Sequence, residues 1–123
     1  MPRVQKLNVE NLNSEDYAKC KSLNYRQKGD MLSTLVISRA NPHKYRGRVY
    51  MIKDDSDKLL AWAIVSDGCA NFYTRKSERR NGYGKQLSKA IAKDYNIWEL
   101  EVGMHDKTSE AFFSGTDYKK EWC

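Results

Sequence analysis

The residues whose types and spacing best suit chemistry form the run Arg79-Arg80-Asn81-Gly82-Tyr83-Gly84, between a predicted strand, Cys69 to Thr74, and a predicted helix, Lys85 to Tyr95. A helix that begins after a glycine turn presents unpaired backbone N–H groups at the positive end of its dipole. Such an end binds anions, and the glycines let the backbone come close to a phosphate. The two arginines add positive charge and can bind phosphate oxygens through paired hydrogen bonds. The run therefore predicts a pyrophosphate-binding site.

Two well-known phosphate loops do not fit this run. A P-loop has Ser or Thr directly after its lysine, whereas Lys85 is followed by Gln86. A dinucleotide-binding fingerprint needs three glycines in a βαβ unit, and only Gly82 and Gly84 are present. The phosphate loop must therefore belong to another class of fold.

Hydrophobic periodicity predicts the elements that position this run. The chain begins with a strand, Val4 to Val9, and a helix from about Glu15 to Leu23, which Asn13 or Ser14 caps. A second helix follows, with an apolar stripe of Met31, Leu32, Leu35 and Val36, and it ends at Asn41-Pro42. The remaining elements are strands Val49 to Lys53 and Leu59 to Val65, a hairpin turn at Asp67-Gly68, the strand and helix on either side of the run, a strand Trp98 to Val102, a short helix Thr108 to Ser114 and a strand Tyr118 to Trp122. No repeat or linker interrupts this order, which predicts one domain over residues 1–123.

This order, together with Arg79 to Gly84, resembles the GNAT superfamily of N-acetyltransferases. The acyl-CoA loop of that family reads Gln or Arg, two residues, Gly, one residue, and Gly or Ala. The family's later N-x-x-A-x-x-F-Y pattern and its following aromatic residue correspond in spacing to Asp106, Ser109, Phe112, Phe113 and Tyr118, although most residue types differ. The resemblance implies an α/β (α+β) fold with a mixed, mostly antiparallel central sheet and helices on both faces.

By this resemblance, acetyl-CoA is the acyl donor and lies in a V-shaped opening between the strand that ends at Thr74 and the strand Trp98 to Val102. Its pantetheine arm pairs with the first strand, and its pyrophosphate binds the N–H groups of Arg80 to Lys85. A strand amide near Phe72 polarises the thioester carbonyl, and an amine attacks it without a covalent enzyme intermediate. The implied cofactor-binding residues are Phe72, Tyr73, Thr74, Arg79, Arg80, Asn81, Gly82, Tyr83, Gly84 and Lys85.

The resemblance does not assign a general acid, because many family members have Tyr at the position of Phe113, and phenylalanine cannot donate a proton. A thiolate with a pKa of about 8.5 can leave without much help. Tyr73, Ser114 and Tyr118 are the possible substitutes, and each is also explained as an ordinary structural residue.

Glu101 is the candidate general base. Glu99 and Glu101 are out of phase with the apolar Leu100 and Val102 on the same predicted strand, so one glutamate can face the substrate cleft. The alternative is a solvent-facing pair with no catalytic part, which is common for charged residues on strands.

The formal net charge of +6 indicates anionic partners. Two basic clusters carry much of it: one is Arg39, His43, Lys44, Arg46 and Arg48, and the other is Arg75, Lys76, Arg79, Arg80 and Lys85. Tyr45 and Tyr50 are interleaved with the first cluster and could stack on bases, so nucleic acid is an alternative partner. A further alternative is a binding protein with the GNAT fold that has lost catalysis, in which Phe113 in place of the usual Tyr would be a sign of that loss.

The cysteines and histidines limit which other classes of protein this sequence fits. Cys20, Cys69 and Cys123 are odd in number and far apart, which suits reduced thiols in a cytoplasm, and no apolar run approaches a membrane span or a signal sequence. His43 and His105 are isolated and no C-x-x-C pair exists, so the sequence predicts no zinc site. The sheet edge expected after the last strand makes a homodimer plausible.

Overall fold

A computed structural model describes residues 3–24, 31–66, 68–78, 81–95, 101–104 and 119–122. Several predictions fall outside these residues: the turn residue Asp67, the arginines Arg79 and Arg80, the start of the strand at Trp98, the short helix around Phe113, and Tyr118.

One mixed sheet of six strands, adjacent in chain order, organises the described residues. The first four strands are antiparallel neighbours: β1 (Val4–Asn8), β2 (Arg48–Lys53), β3 (Leu59–Ser66) and β4 (Cys69–Thr74). The last two, β5 (Glu101–Met104) and β6 (Lys119–Trp122), continue the sheet in parallel with β4. The predicted mixed, mostly antiparallel sheet is confirmed.

Four α-helices accompany the sheet in the described part of the chain: α1 (Ser14–Asn24), α2 (Met31–Ala40), α3 (Pro42–Tyr45) and α4 (Tyr83–Asp94). Short 3-10 turns follow β1 at Val9–Asn11 and β4 at Lys76–Glu78. Asn13, rather than Ser14, caps α1, because its side-chain oxygen accepts a 2.7 Å hydrogen bond from the Asp16 N–H.

The central strands supply apolar side chains to both faces of the sheet, because successive residues of a strand point in opposite directions. One core cluster joins β2 and β3 to α4, where Leu87 and Ile91 are fully buried as their spacing predicts. The other joins the same strands to α1 and α2, with Trp62 fully buried at its centre. Helices therefore cover both faces, as expected.

The predicted stripe of α2 is wrong at one position. Val36 is 40% exposed, whereas Met31, Leu35 and Ser38 are buried. The buried face thus follows the spacing i, i+4, i+7. The apolar Val36 and Ile37 are exposed, whereas Ser38 is buried and its hydroxyl is hydrogen-bonded to that of Ser66.

Helix α2 ends at Ala40, so its predicted end at Asn41-Pro42 is confirmed. A further short helix follows: Pro42 begins α3, because proline is tolerated in the first turn of a helix, where its missing N–H has no partner to lose. The short helix ends at Arg46, which adopts the left-handed conformation with φ 47°.

Candidate functional site

The glycine run begins α4 two residues earlier than its sequence predicts. Gly82 is the N-cap and adopts φ +80°, which favours glycine, so the helix starts at Tyr83 rather than at Lys85. Tyr83, Gly84 and Lys85 therefore form the first turn, where backbone N–H groups have no intrahelical acceptor.

The electrostatics of this helix end favour an anion. Gly82 offers no capping side chain and the first turn contains no acidic residue, so α4 itself places no carboxylate at the positive end of its dipole. Lys85 is exposed and adds a positive charge. A Cβ at Gly82 would meet no described atom within 4 Å, so the described residues leave room for a side chain at this position.

Local contacts fix the turn that precedes α4. The Asn81 side chain donates a 3.1 Å hydrogen bond to Glu78, which connects the turn to the 3-10 segment after β4. Arg75 is engaged elsewhere: its N–H donates to the Leu60 carbonyl at 2.7 Å and its Nε donates to the Leu59 carbonyl at 3.1 Å. Arg75 thus holds the end of β4 against β3, which leaves Lys85 as the described cation of the second basic cluster at the helix end.

Strand β4, which precedes the turn, extends beyond its described pairing with β5. In the described residues, the ladder between β4 and β5 consists of two pairs, Cys69 with Glu101 and Ala70 with Val102. Strand β4 runs four residues further, to Thr74. The predicted pantetheine-binding residues lie in this part of β4: Phe72 packs on the α4 face, and Tyr73 packs on the face of α1 and α2.

Sequence reasoning did not single out Asn71, which lies on β4 directly before Phe72. It is 2% exposed, and its Oδ1 has no hydrogen-bond partner among the described residues. Its amide nitrogen lies 3.8 Å from the Cys69 sulfur. An asparagine in the middle of a strand is unfavourable, and that local conflict is the signal that could have identified it.

The candidate base Glu101 occupies the start of β5. Its backbone pairs with Cys69, three residues before Phe72, which is a distance of about 10 Å along the strand. Its side chain is outside the description, as are Arg79 and Arg80, so their assigned roles stay predictions.

The described thiols differ in environment. Cys20 is fully buried, and this burial raises its pKa to about 12, so it stays protonated and unreactive at neutral pH. Cys69 is partly buried at the start of β4. No group of three or more His, Cys, Asp or Glu side chains converges within the described ranges. None of the described helices is long and apolar enough to cross a membrane.

Solved structures of GNAT acetyltransferases share this architecture. A GNAT-family acetyltransferase from Staphylococcus aureus Mu50 superposes with a TM-score of 0.63 at 12% identity, over 92% of this chain and 81% of that one. A ribosomal-protein-alanine N-acetyltransferase from Brucella melitensis gives 0.63 at 10% identity, over 100% and 96%. The chain has the GNAT fold.

Another structure with this fold contains a ligand related to CoA. The aminoglycoside acetyltransferase AAC(6')-Iy, in complex with the bisubstrate analogue CoA-S-monomethyl-acetylneamine, gives a TM-score of 0.58 at 14% identity, over 97% of this chain and 91% of that one. No family model matches the sequence, and a search of curated proteins finds no match.

Proposed function

We propose that this GNAT-fold protein is an acetyl-CoA-dependent N-acetyltransferase that transfers the acetyl group to an amine by direct attack on the thioester. The observation that carries this proposal is the N-terminus of α4, which begins at a glycine without a capping side chain. It follows, after the 3-10 segment Lys76–Glu78, the strand that extends beyond its ladder with β5. The GNAT fold and the CoA analogue bound to AAC(6')-Iy support the choice of donor.

In this proposal the first turn of α4 binds the pyrophosphate. The N–H groups of Tyr83, Gly84 and Lys85 donate to the phosphate oxygens, and Arg79, Arg80 and Lys85 contribute charge. Asn81 and Gly82 shape the turn. The backbone of Phe72, Tyr73 and Thr74 holds the pantetheine arm as an added strand.

The chemical step needs an amine without its proton and a stabilised carbonyl oxygen. An amide of β4 near Phe72 would polarise the thioester, and Glu101 would accept a proton from the amine, directly or through water. The new C–N bond forms as the C–S bond breaks, and the CoA thiolate leaves with a pKa of about 8.5, so Phe113 need not supply a proton.

Asn71 extends the proposal towards the acceptor. Its buried Oδ1, which has no hydrogen-bond partner among the described residues, lies on the face of β4 that also carries Tyr73, one residue before the proposed thioester site. A buried acceptor without a partner costs about 1–3 kcal/mol, a cost that an N–H donor of the incoming amine would remove. We expect Asn71→Leu to raise the KM for the amine with little change in acetyl-CoA affinity, and an unchanged amine KM would count against this role.

Acetyl-CoA binding by isothermal titration calorimetry tests the donor site. Gly82→Asp should lose at least tenfold in affinity, because a carboxylate at the helix end repels the pyrophosphate. Gly82→Asn is the matched control: it has nearly the same shape, tolerates positive φ equally well, and carries no charge. Equal affinity of the two variants, both folded by circular dichroism, would refute the assignment of the anion to this turn.

Turnover is tested separately with a panel of primary amines, following release of the CoA thiol. Glu101→Gln should lower kcat with little effect on acetyl-CoA affinity if Glu101 is the base. Tight donor binding without turnover on any amine would instead favour a CoA-binding protein that lacks catalysis.

A further inference from the structure

A cleft of about 690 Å³ lies at the opposite end of the sheet from the N-terminus of α4. It is formed by α3 and the turn that follows, the end of β1, and the hairpin between β3 and β4. Gly68, at the start of β4, lines the cleft, whereas the glycine run follows the other end of that strand. The six residues of β4 separate the two places by about 20 Å. The cleft is therefore distinct from the proposed donor site.

The lining of this cleft is basic. Lys44, Arg46 and Arg48 contribute three positive charges, with His43 beside them, and Glu10 is the one carboxylate among the described lining residues. Within the described part of the chain, no carboxylate lies within 4.0 Å of the Lys44 or Arg46 side chains. Cations without partners in a concave surface raise the local concentration of anions.

Aromatic rings accompany these charges. Tyr45 and Tyr95 line the same cleft, with the Lys44 Nζ 5.4 Å from the Tyr45 ring centre and the Arg48 guanidinium 5.5 Å from the Tyr95 ring centre. Alternating cations and aromatic faces are typical of surfaces that bind single-stranded nucleic acids. Tyr50, which the sequence also suggested for stacking, is fully buried in β2 and takes no part.

The wall of the cleft is held in place by buried contacts. The Ser66 hydroxyl lies 3.3 Å from the Tyr45 carbonyl, to which it donates, and 3.2 Å from the Ser38 hydroxyl. Gly47 packs so closely that an added Cβ would lie 3.0 Å from the Ser38 Cβ. The basic residues after α3 are therefore presented on a fixed backbone, which lowers the entropic cost of binding a ligand.

The cleft continues into a second depression of about 410 Å³, with which it shares Asn8 and Arg48. This depression adds Lys6, together with Asp94, whose carboxylate is paired with Lys6 at 2.9 Å and lies 3.7 Å from Arg48. The depression thus adds one cation and one carboxylate, and the excess of positive charge in the combined groove comes from Lys44, Arg46 and Arg48. An elongated basic groove fits a chain of phosphates better than a single phosphate group.

We propose that this groove, from Lys44 and Arg46 to Lys6, binds single-stranded nucleic acid. Lys44, Arg46 and Arg48 contact successive phosphates, and Tyr45 and Tyr95 provide stacking faces for bases. The proposal does not depend on the acetyltransferase function, since the groove and the glycine turn lie at opposite ends of β4.

Fluorescence anisotropy of a labelled 12-nucleotide single-stranded RNA, with excess CoA present to occupy the proposed donor site, tests the proposal. Lys44→Ala/Arg46→Ala should weaken binding at least tenfold at 100 mM salt. It should also lower the slope of log affinity against log salt by about 1.4, because each phosphate contact to a single strand contributes about 0.7. The control Lys58→Ala/Lys89→Ala removes two exposed positive charges outside the groove and should retain most of the affinity.

Each result decides the proposal. A selective loss in the Lys44→Ala/Arg46→Ala variant supports it. Equal losses in both double variants would assign the binding to overall charge and overturn the groove. Binding of AMP alone without the 12-mer, seen by calorimetry, would replace the proposal with a small-nucleotide site, and absence of any RNA binding would refute it.

Discussion

At the scale of single residues, Asp94 has polar contacts with three side chains from two strands. At the end of α4, its carboxylate accepts hydrogen bonds from Lys6 at 2.9 Å and from the Tyr50 hydroxyl at 2.8 Å, and it lies 3.7 Å from Arg48. These partners belong to β1 and β2, so one carboxylate ties the end of the helix to two strands. The hydrogen bond from Lys6, opposed by burial and helped by Tyr50, holds the pKa of Asp94 below its usual range.

We therefore expect Asp94→Asn to lower the free energy of unfolding by about 1.5–3 kcal/mol at pH 7, the usual range for hydrogen bonds to a charged group. A lowered folded-state pKa means that the contribution is complete above the unfolded-state pKa of about 4 and is lost as the pH falls through the folded-state value. Urea unfolding should accordingly show wild type and variant converging below about pH 4.

Asp55→Asn is the control, because Asp55 is exposed in the β2–β3 turn. This substitution should change the unfolding free energy by less than about 0.5 kcal/mol, as surface substitutions usually do. A difference between wild type and Asp94→Asn that stays constant from pH 7 to pH 3 would contradict the role assigned to the ionised carboxylate.

Residues of this kind are not predictable from local sequence. Asp94 and Lys6 are 88 positions apart, and neither disturbs a local pattern. Leu87 and Ile91, by contrast, follow from helical spacing alone. Asn71 is intermediate: its residue type conflicts with a strand, but only the three-dimensional structure shows that its Oδ1 meets no hydrogen-bond donor in the described ranges.

At the scale of elements, the local sequence predicted the presence of helices and strands better than the residues at which they begin. Strand β4 has the predicted bounds, Cys69–Thr74, whereas α4 starts at Tyr83, because Gly82 in a left-handed conformation ends the turn earlier than the hydrophobic pattern shows. Helix α2 buries Ser38 rather than Val36, since the packing of Gly47 and the hydroxyl of Ser66 decide which face turns inward. Tertiary contacts, which the local sequence does not show, thus determine the buried face of α2.

The contact between α2 and the segment before β2 gives an element-scale prediction. A methyl group at Gly47 would lie 3.0 Å from the Ser38 Cβ, so Gly47→Ala should push these elements apart and cost about 1–3 kcal/mol. Ser38→Gly removes that Cβ. The double variant Gly47→Ala/Ser38→Gly should therefore be more stable than the sum of the two single losses predicts, as measured by urea unfolding. Simple additivity would show that the crowding is not between these two residues.

At the scale of the whole molecule, the two core clusters are built from the same two strands. Tyr50, Ala63 and Val65 face α4, while Met51 and Trp62 face α1 and α2. A loss of packing on one face therefore removes support from strands that the other face needs. We infer that residues 1–123 form one cooperative domain, as their length predicts.

Leu87→Ala tests this inference, because Leu87 is fully buried on the α4 face while Trp62 is fully buried in the opposite cluster. In a background with Trp98→Phe and Trp122→Phe, fluorescence reports on Trp62 alone. The loss of a buried leucine costs about 2–5 kcal/mol. A cooperative domain requires that the urea midpoints from fluorescence and far-UV circular dichroism fall together, by the concentration that this loss divided by the m-value gives. Lys89→Ala, on the exposed side of the same helix, should leave both midpoints in place. If the fluorescence midpoint did not change in Leu87→Ala, the two core clusters would unfold independently, and the shared strands would not couple them.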